Sequence, residues 1–336
     1  MVMDKGVIYF PSKPSILAAG VVVGPLEKRS VFAQNFDLVL DDERADQKTN
    51  EQGHQHLIEE AAQIALQKKK LTKDAVDFFI GGDLVSQMTP TNFAAATIGS
   101  PFIGMYSACA TSTSAVIIAS LLTELGGSHY AIAGAASQHN AIERQFRYPV
   151  DYGGQKPATA QWTVTAAGYV LIGKHQEGEP CIEAATFGKV ADFQQSDPFH
   201  MGAAMAPAAF STIKQHLKGR GQTVQDYDVI MTGDLGKVGL PILKEMLRQS
   251  GFTTKQLETI RDGGAEYYGD NPLFLAGASG AGCSASVFFG EILAELKSGR
   301  MKRVLLVATG ALLSQLSVQQ NQSIPTVAHA IEVTMK

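Results

Sequence analysis

The sequence predicts an α/β protein of two similar halves, stacked as five layers, α-β-α-β-α. Three observations lead there: an internal repeat, a strand–helix–strand order that recurs after each copy of it, and two helices with no strongly polar face. The repeat pairs residues 71–84 (LTKDAVDFFIGGDL) with residues 222–235 (QTVQDYDVIMTGDL). Thr72, Asp77, Gly82, Asp83 and Leu84 recur as Thr223, Asp228, Gly233, Asp234 and Leu235 at a constant offset.

A helical pattern precedes each copy: Leu57, Ile58, Ala61, Ala62 and Ala65 in the first half, Ala208, Ala209, Ile213 and Leu217 in the second. Apolar side chains at those intervals share one helix face. Inside the repeat, Phe78-Phe79-Ile80 and Val229-Ile230-Met231 are short apolar runs of the kind that form buried strands. Downstream in the first half, Phe102-Ile103-Gly104-Met105 leads to small residues around Cys109. A helix over 112–125, a Gly126-Gly127 turn and a strand from Tyr130 to Ala133 follow. In the second half, Phe274-Leu275-Ala276-Gly277 leads to a Gly-rich stretch ending at Cys283. There a helix over 284–296, a Ser298-Gly299 turn and a strand from Val304 to Val307 follow. Repeated strand–helix–strand units imply parallel sheets with right-handed crossovers. The helices over 112–125 and 284–296 are apolar or small nearly all round, so they belong inside the protein. Placed as one layer between two sheets, with further helices outside, they give the five layers.

The polar segment 175–180, with Gly178 and Pro180, reads as a connector between halves spanning 1–174 and 175–336. Residues 137–162 have little periodicity and read as an inserted loop, a place where function often resides.

Of the 336 residues, 45% are hydrophobic and 18% charged, ample for a large core. The net charge of -4 gives no pull toward nucleic acid or acidic membranes. The basic run Lys68-Lys69-Lys70 reads as a solvated helix end. Three scattered cysteines, Cys109, Cys181 and Cys283, form neither a disulfide framework nor a zinc motif, which points to a reducing compartment. No signal peptide is expected, and no stretch reaches the roughly 20 apolar residues of a transmembrane segment.

This layout, with a cysteine at the start of the first buried helix, resembles the thiolase superfamily, and the fold expected is thiolase-like. Within it, the chain closely resembles the stage V sporulation protein AD family over essentially its whole length. The residues that carry this are 137–149 (SQHNAIERQFRYP), 152–157 (YGGQKP), 197–199 (DPF), 205–209 (MAPAA), 232–235 (TGDL), 307–314 (VATGALLS) and 324–329 (IPTVAH). The resemblance implies a sporulation protein of endospore-forming bacteria. Such a protein binds dipicolinic acid (pyridine-2,6-dicarboxylate), alone or with calcium, and takes part in its uptake into the developing spore. It implies as partners the other proteins of the stage V sporulation A group, and a homodimer paired through the first-half sheet. The location implied is cytoplasmic, or peripheral at the spore inner membrane.

Cys109 stands where the thiolase superfamily keeps its acyl-accepting nucleophile, and the N-terminus of the following helix would favour a thiolate there. Its alternative is a small buried residue at a tight helix start. Acyl transfer also needs a base and oxyanion donors. Thiolases take the base from a Gly-His-Pro segment; here the matching residues are Gly277-Ala278-Ser279, and Ala278 has no proton chemistry. The loop that carries a second reactive cysteine in thiolases reads Ala308-Thr309-Gly310-Ala311 here. The expected role is therefore ligand binding in a former acyl pocket, with an acyltransferase or condensing enzyme using Cys109 as the alternative.

For a flat dianion, helix N-termini and cations are suitable partners, and Arg147 and Lys156 are the candidates within the family-specific run. Each is otherwise a surface charge or a structural ion pair. Asp83 and Asp234 end equivalent strands, the usual place for ligands; Asp83 either meets a ligand through calcium or caps the next helix. His139 and His329 are ligand-binding candidates, with a satisfied core histidine as the other reading. Trp162, the only tryptophan, packs the 137–162 segment or stacks on the ligand.

Overall fold

Successive side chains of a strand point to opposite faces of its sheet, and in this chain both faces are apolar. Phe79, Tyr169 and Leu171 fall in one core, while their chain neighbours Ile80, Val170 and Ile172 fall in another. In the second half, Leu305 and Val307 face a third core, and Val304 and Leu306 face back into the shared one. Two sheets with three apolar interiors require helices on both outer faces and between them.

The computed structural model describes residues 2–4, 6–146 and 156–335. The first sheet holds β1 (Ser15–Val23), β2 (Phe78–Gly82), β3 (Phe102–Gly104), β4 (Tyr130–Ser137) and β5 (Ala166–Gly173), in the order β1-β5-β4-β2-β3. The second holds β6 (Cys181–Phe187), β7 (Val229–Thr232), β8 (Ile260–Asp262), β9 (Arg303–Ala311) and β10 (Thr326–Thr334), in the order β6-β10-β9-β7-β8. The strand order is the same in both. The sheets join along one edge, where Ser15 of β1 meets Cys181 of β6. Ile16 N donates to Pro180 O and Ile182 N to Pro14 O there, each at 2.8 Å.

Neither sheet is wholly parallel, as the sequence had implied. β5 runs antiparallel to β1 and β4, and β10 antiparallel to β6 and β9. A strand returning beside its predecessor needs no crossover helix, which is how residues 312–325 lead from β9 into β10.

Helices α1 (Asn50–Lys68) and α2 (Thr89–Ile98) cover the first sheet. Helix α3 (Thr111–Glu124) lies between the sheets, and α4 (His139–Phe146) follows β4. Helices α5 (Met201–Arg220) and α6 (Gly236–Gln249) cover the second sheet. Helix α7, the partner of α3, runs through Ala281–Ser286, a π-helical turn at Val287–Ile292, and Leu293–Lys297.

The central helices carry Ser and Thr, which disfavour helix interiors unless their hydroxyls are bonded. Here Thr113, Ser120 and Thr123 donate to carbonyls three or four residues back at 2.8–3.0 Å. Ser112 of α3 and Ser284 of α7 meet Oγ to Oγ at 2.9 Å, where the two helices cross.

Helix α4 is a departure from the inserted loop expected over 137–162. Gln138 Oε1 accepts from Ala141 N at 2.7 Å and caps its first turn, and Ala141 and Ile142 are buried. Glutamine is not among the usual capping residues, so the start carried no signal.

Phe288 is wholly buried in the core between the sheets. Phe288→Ala is expected to cost about 3–5 kcal/mol, read by urea unfolding; a loss below about 1 kcal/mol would contradict the central packing.

Candidate functional site

Between β3 and α3 the chain turns sharply: Ala108 has φ of 49°. Thr111 ties the turn, with its hydroxyl accepting from Ser107 N at 3.0 Å and donating to Ala108 O at 2.7 Å. Gly310 of β9 packs directly against it; a Cβ there would lie 2.2 Å from Ser107 O. Cys109 is thereby held at the foot of α3, 5% exposed.

The group beside it is Asp234, which follows β7 and is wholly buried. Its carboxyl accepts from Thr309 Oγ1 at 2.9 Å, Ser279 Oγ at 3.1 Å and Gly280 N at 3.0 Å, and from the Cys109 thiol. Burial, then the Asp234 charge and the hydrogen bond to it, pushes the Cys109 thiol well above the ordinary range. Burial also raises Asp234, opposed by its donors. This corrects the thiolate expected from the helix terminus. That terminus is worth at most about 2 kcal/mol, whereas a buried charge costs several.

Around Cys109 lies a small cavity of about 30 Å³, lined among others by Leu84, Tyr106, Glu143, Phe146, Thr163 and Ser279. Among the described residues its lining holds no histidine. Ala278, at the position where thiolases place one, is buried and pairs with Trp162 in a short parallel bridge.

Glu143 is 3% exposed; its carboxylate accepts from Thr163 Oγ1 at 2.8 Å and pairs with Lys156 Nζ at 3.5 Å. Lys156 Nζ sits 4.5 Å from the centre of the Trp162 ring. The His139 ring stacks on Trp162 at 4.0 Å, and its Nδ1 lies 2.8 Å from Thr163 O. Lys156, His139, Glu143 and Trp162 thus form one wall beside the cavity.

Other predicted residues lie elsewhere. Asp83 is wholly buried and does not line the cavity; it accepts from Val85 N at 2.7 Å, Thr91 N at 3.0 Å and the Thr91 hydroxyl. It does the capping of its two readings. His329 accepts from Gly188 N at 3.2 Å and stands edge-on to Phe187, and burial pulls it down to about 4. It does not line the cavity. Arg147 lies outside the described residues. Sequence reasoning missed Glu143, Thr163 and Tyr106, and missed Asp234 as the partner of Cys109. Glu143 stood in the family-specific run and Asp234 in the repeat, but Tyr106 carried no signal.

Beneath the wall, Thr165 N donates to Glu27 Oε1 at 3.2 Å and the Thr165 hydroxyl donates to Glu43 Oε2 at 2.8 Å. Tyr268 OH also donates to Glu27, at 2.9 Å. Burial, then the neighbouring Glu43, raises Glu27 to about 8, so it is largely neutral at pH 7.

A family model described as stage V sporulation protein AD matches residues 4–334. A Bacillus subtilis (strain 168) protein of that name is 44% identical over 314 residues, 94% of this chain and 92% of its own. Similar solved structures include 3-oxoacyl-[acyl-carrier-protein] synthase III from Aquifex aeolicus VF5, with a TM-score of 0.58 and 13% identity over 96% of this chain and 99% of that one. Human mitochondrial 3-ketoacyl-CoA thiolase in complex with CoA gives 0.60 and 12% over 98% and 99%. At such identities the likeness shows the fold, which is thiolase-like.

Asp234→Asn removes the charge beside the thiol. The pH profile of Cys109 alkylation, followed by mass spectrometry, is expected to move to lower pH, with Cys181 unchanged; an unmoved profile would contradict the pairing. For Glu27, a folded value raised above the unfolded 4.5 gives stability that is full below pH 4.5 and lost as pH rises toward about 8. Glu27→Gln is therefore expected to flatten the fall in Tm between pH 5 and 8, and a slope equal to the parent's would contradict this.

Proposed function

Because the chain belongs to the stage V sporulation protein AD family, we propose that it binds dipicolinic acid without transforming it and takes part in its uptake into the developing spore. The binding site is the cavity at Cys109. The observation that carries this reading is the Cys109–Asp234 pair: a thiol kept protonated against a carboxyl suits a wall, not a nucleophile. The ligand is the one that the resemblance to this family implies.

The chemistry of the wall supports an aromatic anion. Lys156 pairs with Glu143, which lines the cavity, and lies over the Trp162 face. A ligand carboxylate competes with Glu143 for Lys156, and the Trp162–His139 stack offers an aromatic border. A dianion facing Glu143 is repelled unless a cation neutralises one of them. Among the described residues no three His, Cys, Asp or Glu side chains cluster to hold a metal. Calcium would therefore arrive chelated by the pyridine nitrogen and carboxylates of dipicolinate, with Glu143 adding a hard oxygen. A cavity of about 30 Å³ holds a water or two, so ligand entry is coupled to opening.

No described helix is long and apolar enough to cross a membrane. We place the protein in the cytoplasm or peripherally at the spore inner membrane, with other stage V sporulation A proteins as partners. Strand β3, at the edge of the first sheet, is where a second copy would pair to form a homodimer.

The alternative, an acyltransferase, is favoured by the place of Cys109 at a central helix start. It requires an acyl-enzyme on Cys109 after incubation with acyl thioesters, visible as added mass.

In calorimetric titrations with dipicolinate, with and without calcium, Lys156→Ala is expected to weaken binding about 10- to 100-fold, the worth of a charged hydrogen bond. Glu143→Gln is expected to strengthen calcium-free binding and reduce the calcium dependence. A flat titration of the parent protein, or an acyl-enzyme on Cys109, would overturn the reading.

A further inference from the structure

A second cavity of about 340 Å³ adjoins the one at Cys109, walled by residues 84–88 on one side and 312–315 on the other. The two share four lining residues: Leu84, Tyr106, Phe146 and Leu313. The outer one is in the range of ordinary ligand pockets, whereas the inner one holds a water or two.

Tyr106 stands between them. Its hydroxyl donates to Leu313 O at 2.9 Å, pinning the ring to the 312–315 wall. The residue is 46% exposed, though burial of its hydroxyl end raises its pKa to about 12. One end of the side chain is thus open to the outer chamber while the other is desolvated at the partition.

The opposite wall is shaped by backbone strain. Gln87 and Met88 are consecutive non-glycine residues with φ of 56° and 53°, a left-handed conformation that side chains other than glycine rarely adopt. Met88 Sδ packs against Gly82 at the end of β2, where a Cβ would approach it to 2.8 Å. Met88 thus ties the 84–88 wall to the end of β2.

We propose that Tyr106 is the partition that molecules must displace to pass from the outer chamber to Cys109. The inner cavity is reached only when the Tyr106 ring rotates off Leu313, so this residue controls access to Cys109. The rotation breaks one hydrogen bond to a backbone carbonyl, worth about 0.5–1.5 kcal/mol net. This concerns the cavity assigned to dipicolinate above, but the route itself holds whatever the ligand.

The test reads access with a small neutral thiol reagent, methyl methanethiosulfonate, on the full-length protein at one fixed pH. All three cysteines are buried, so Cys181 and Cys283 serve as internal references. The measured quantity is the Cys109 rate divided by the mean of the other two, by peptide mass spectrometry. Tyr106→Phe keeps the ring and removes the bond to Leu313; the ratio is expected to rise about two- to thirteenfold, the same 0.5–1.5 kcal/mol read as a rate. Ser86→Trp, which fills the outer chamber from its exposed rim, is expected to lower the ratio at least threefold. An unchanged ratio in either variant overturns the proposal, and so does a general loosening that speeds all three cysteines alike. Dipicolinate binding is not used in the readout, so failure of the ligand assignment leaves this result standing.

Discussion

The two central helices must be buried over most of their length, and most of the molecule follows from that. α3 and the start of α7 give almost no face to water, so each needs a sheet above and below. The sheets in turn are apolar on both faces and need outer helices. Ser112 and Ser284 meet at the crossing of the two helices, and Ser284 also donates to Cys109 O at 3.0 Å. The cysteine is therefore buried between the two halves, its backbone fastened to the opposite one.

That depth decides its chemistry. Two effects act on the thiol with opposite sign: the helix terminus favours thiolate, while enclosure and Asp234 favour the neutral form. Enclosure wins because burial and the adjoining Asp234 outweigh the hydrogen bonds from Gly280 and Ser279 that would favour the thiolate. The two halves also use their equivalent aspartates differently. Asp83 organises the start of α2, whereas in the second half Asp262 takes the corresponding work, accepting from Leu235 N and Gly236 N at 2.8 Å. Asp234 is thereby released to meet the thiol.

The layers were legible because the repeat and the two unpolarised helices are periodic features of the chain itself. The reversed strands β5 and β10 were not, since strand direction depends on how a connection returns rather than on composition. Of the site, Cys109 was readable from its place before α3, and Lys156 and His139 from the run that contains them. Asp234 as a thiol partner was hidden: its contact joins residues 125 positions apart across the halves. Glu143 read as one charge within a loop, because the glutamine cap that makes α4 a helix gives no recognisable start.

The central claim is that the cavity at Cys109 receives dipicolinate, and a crystal structure grown with dipicolinate tests it most directly. The account predicts density for a flat ring between Cys109 and Thr163, a carboxylate at Lys156 and Tyr106 rotated from Leu313. A ring bound elsewhere with that cavity still closed, or no ring at saturating ligand, would contradict it.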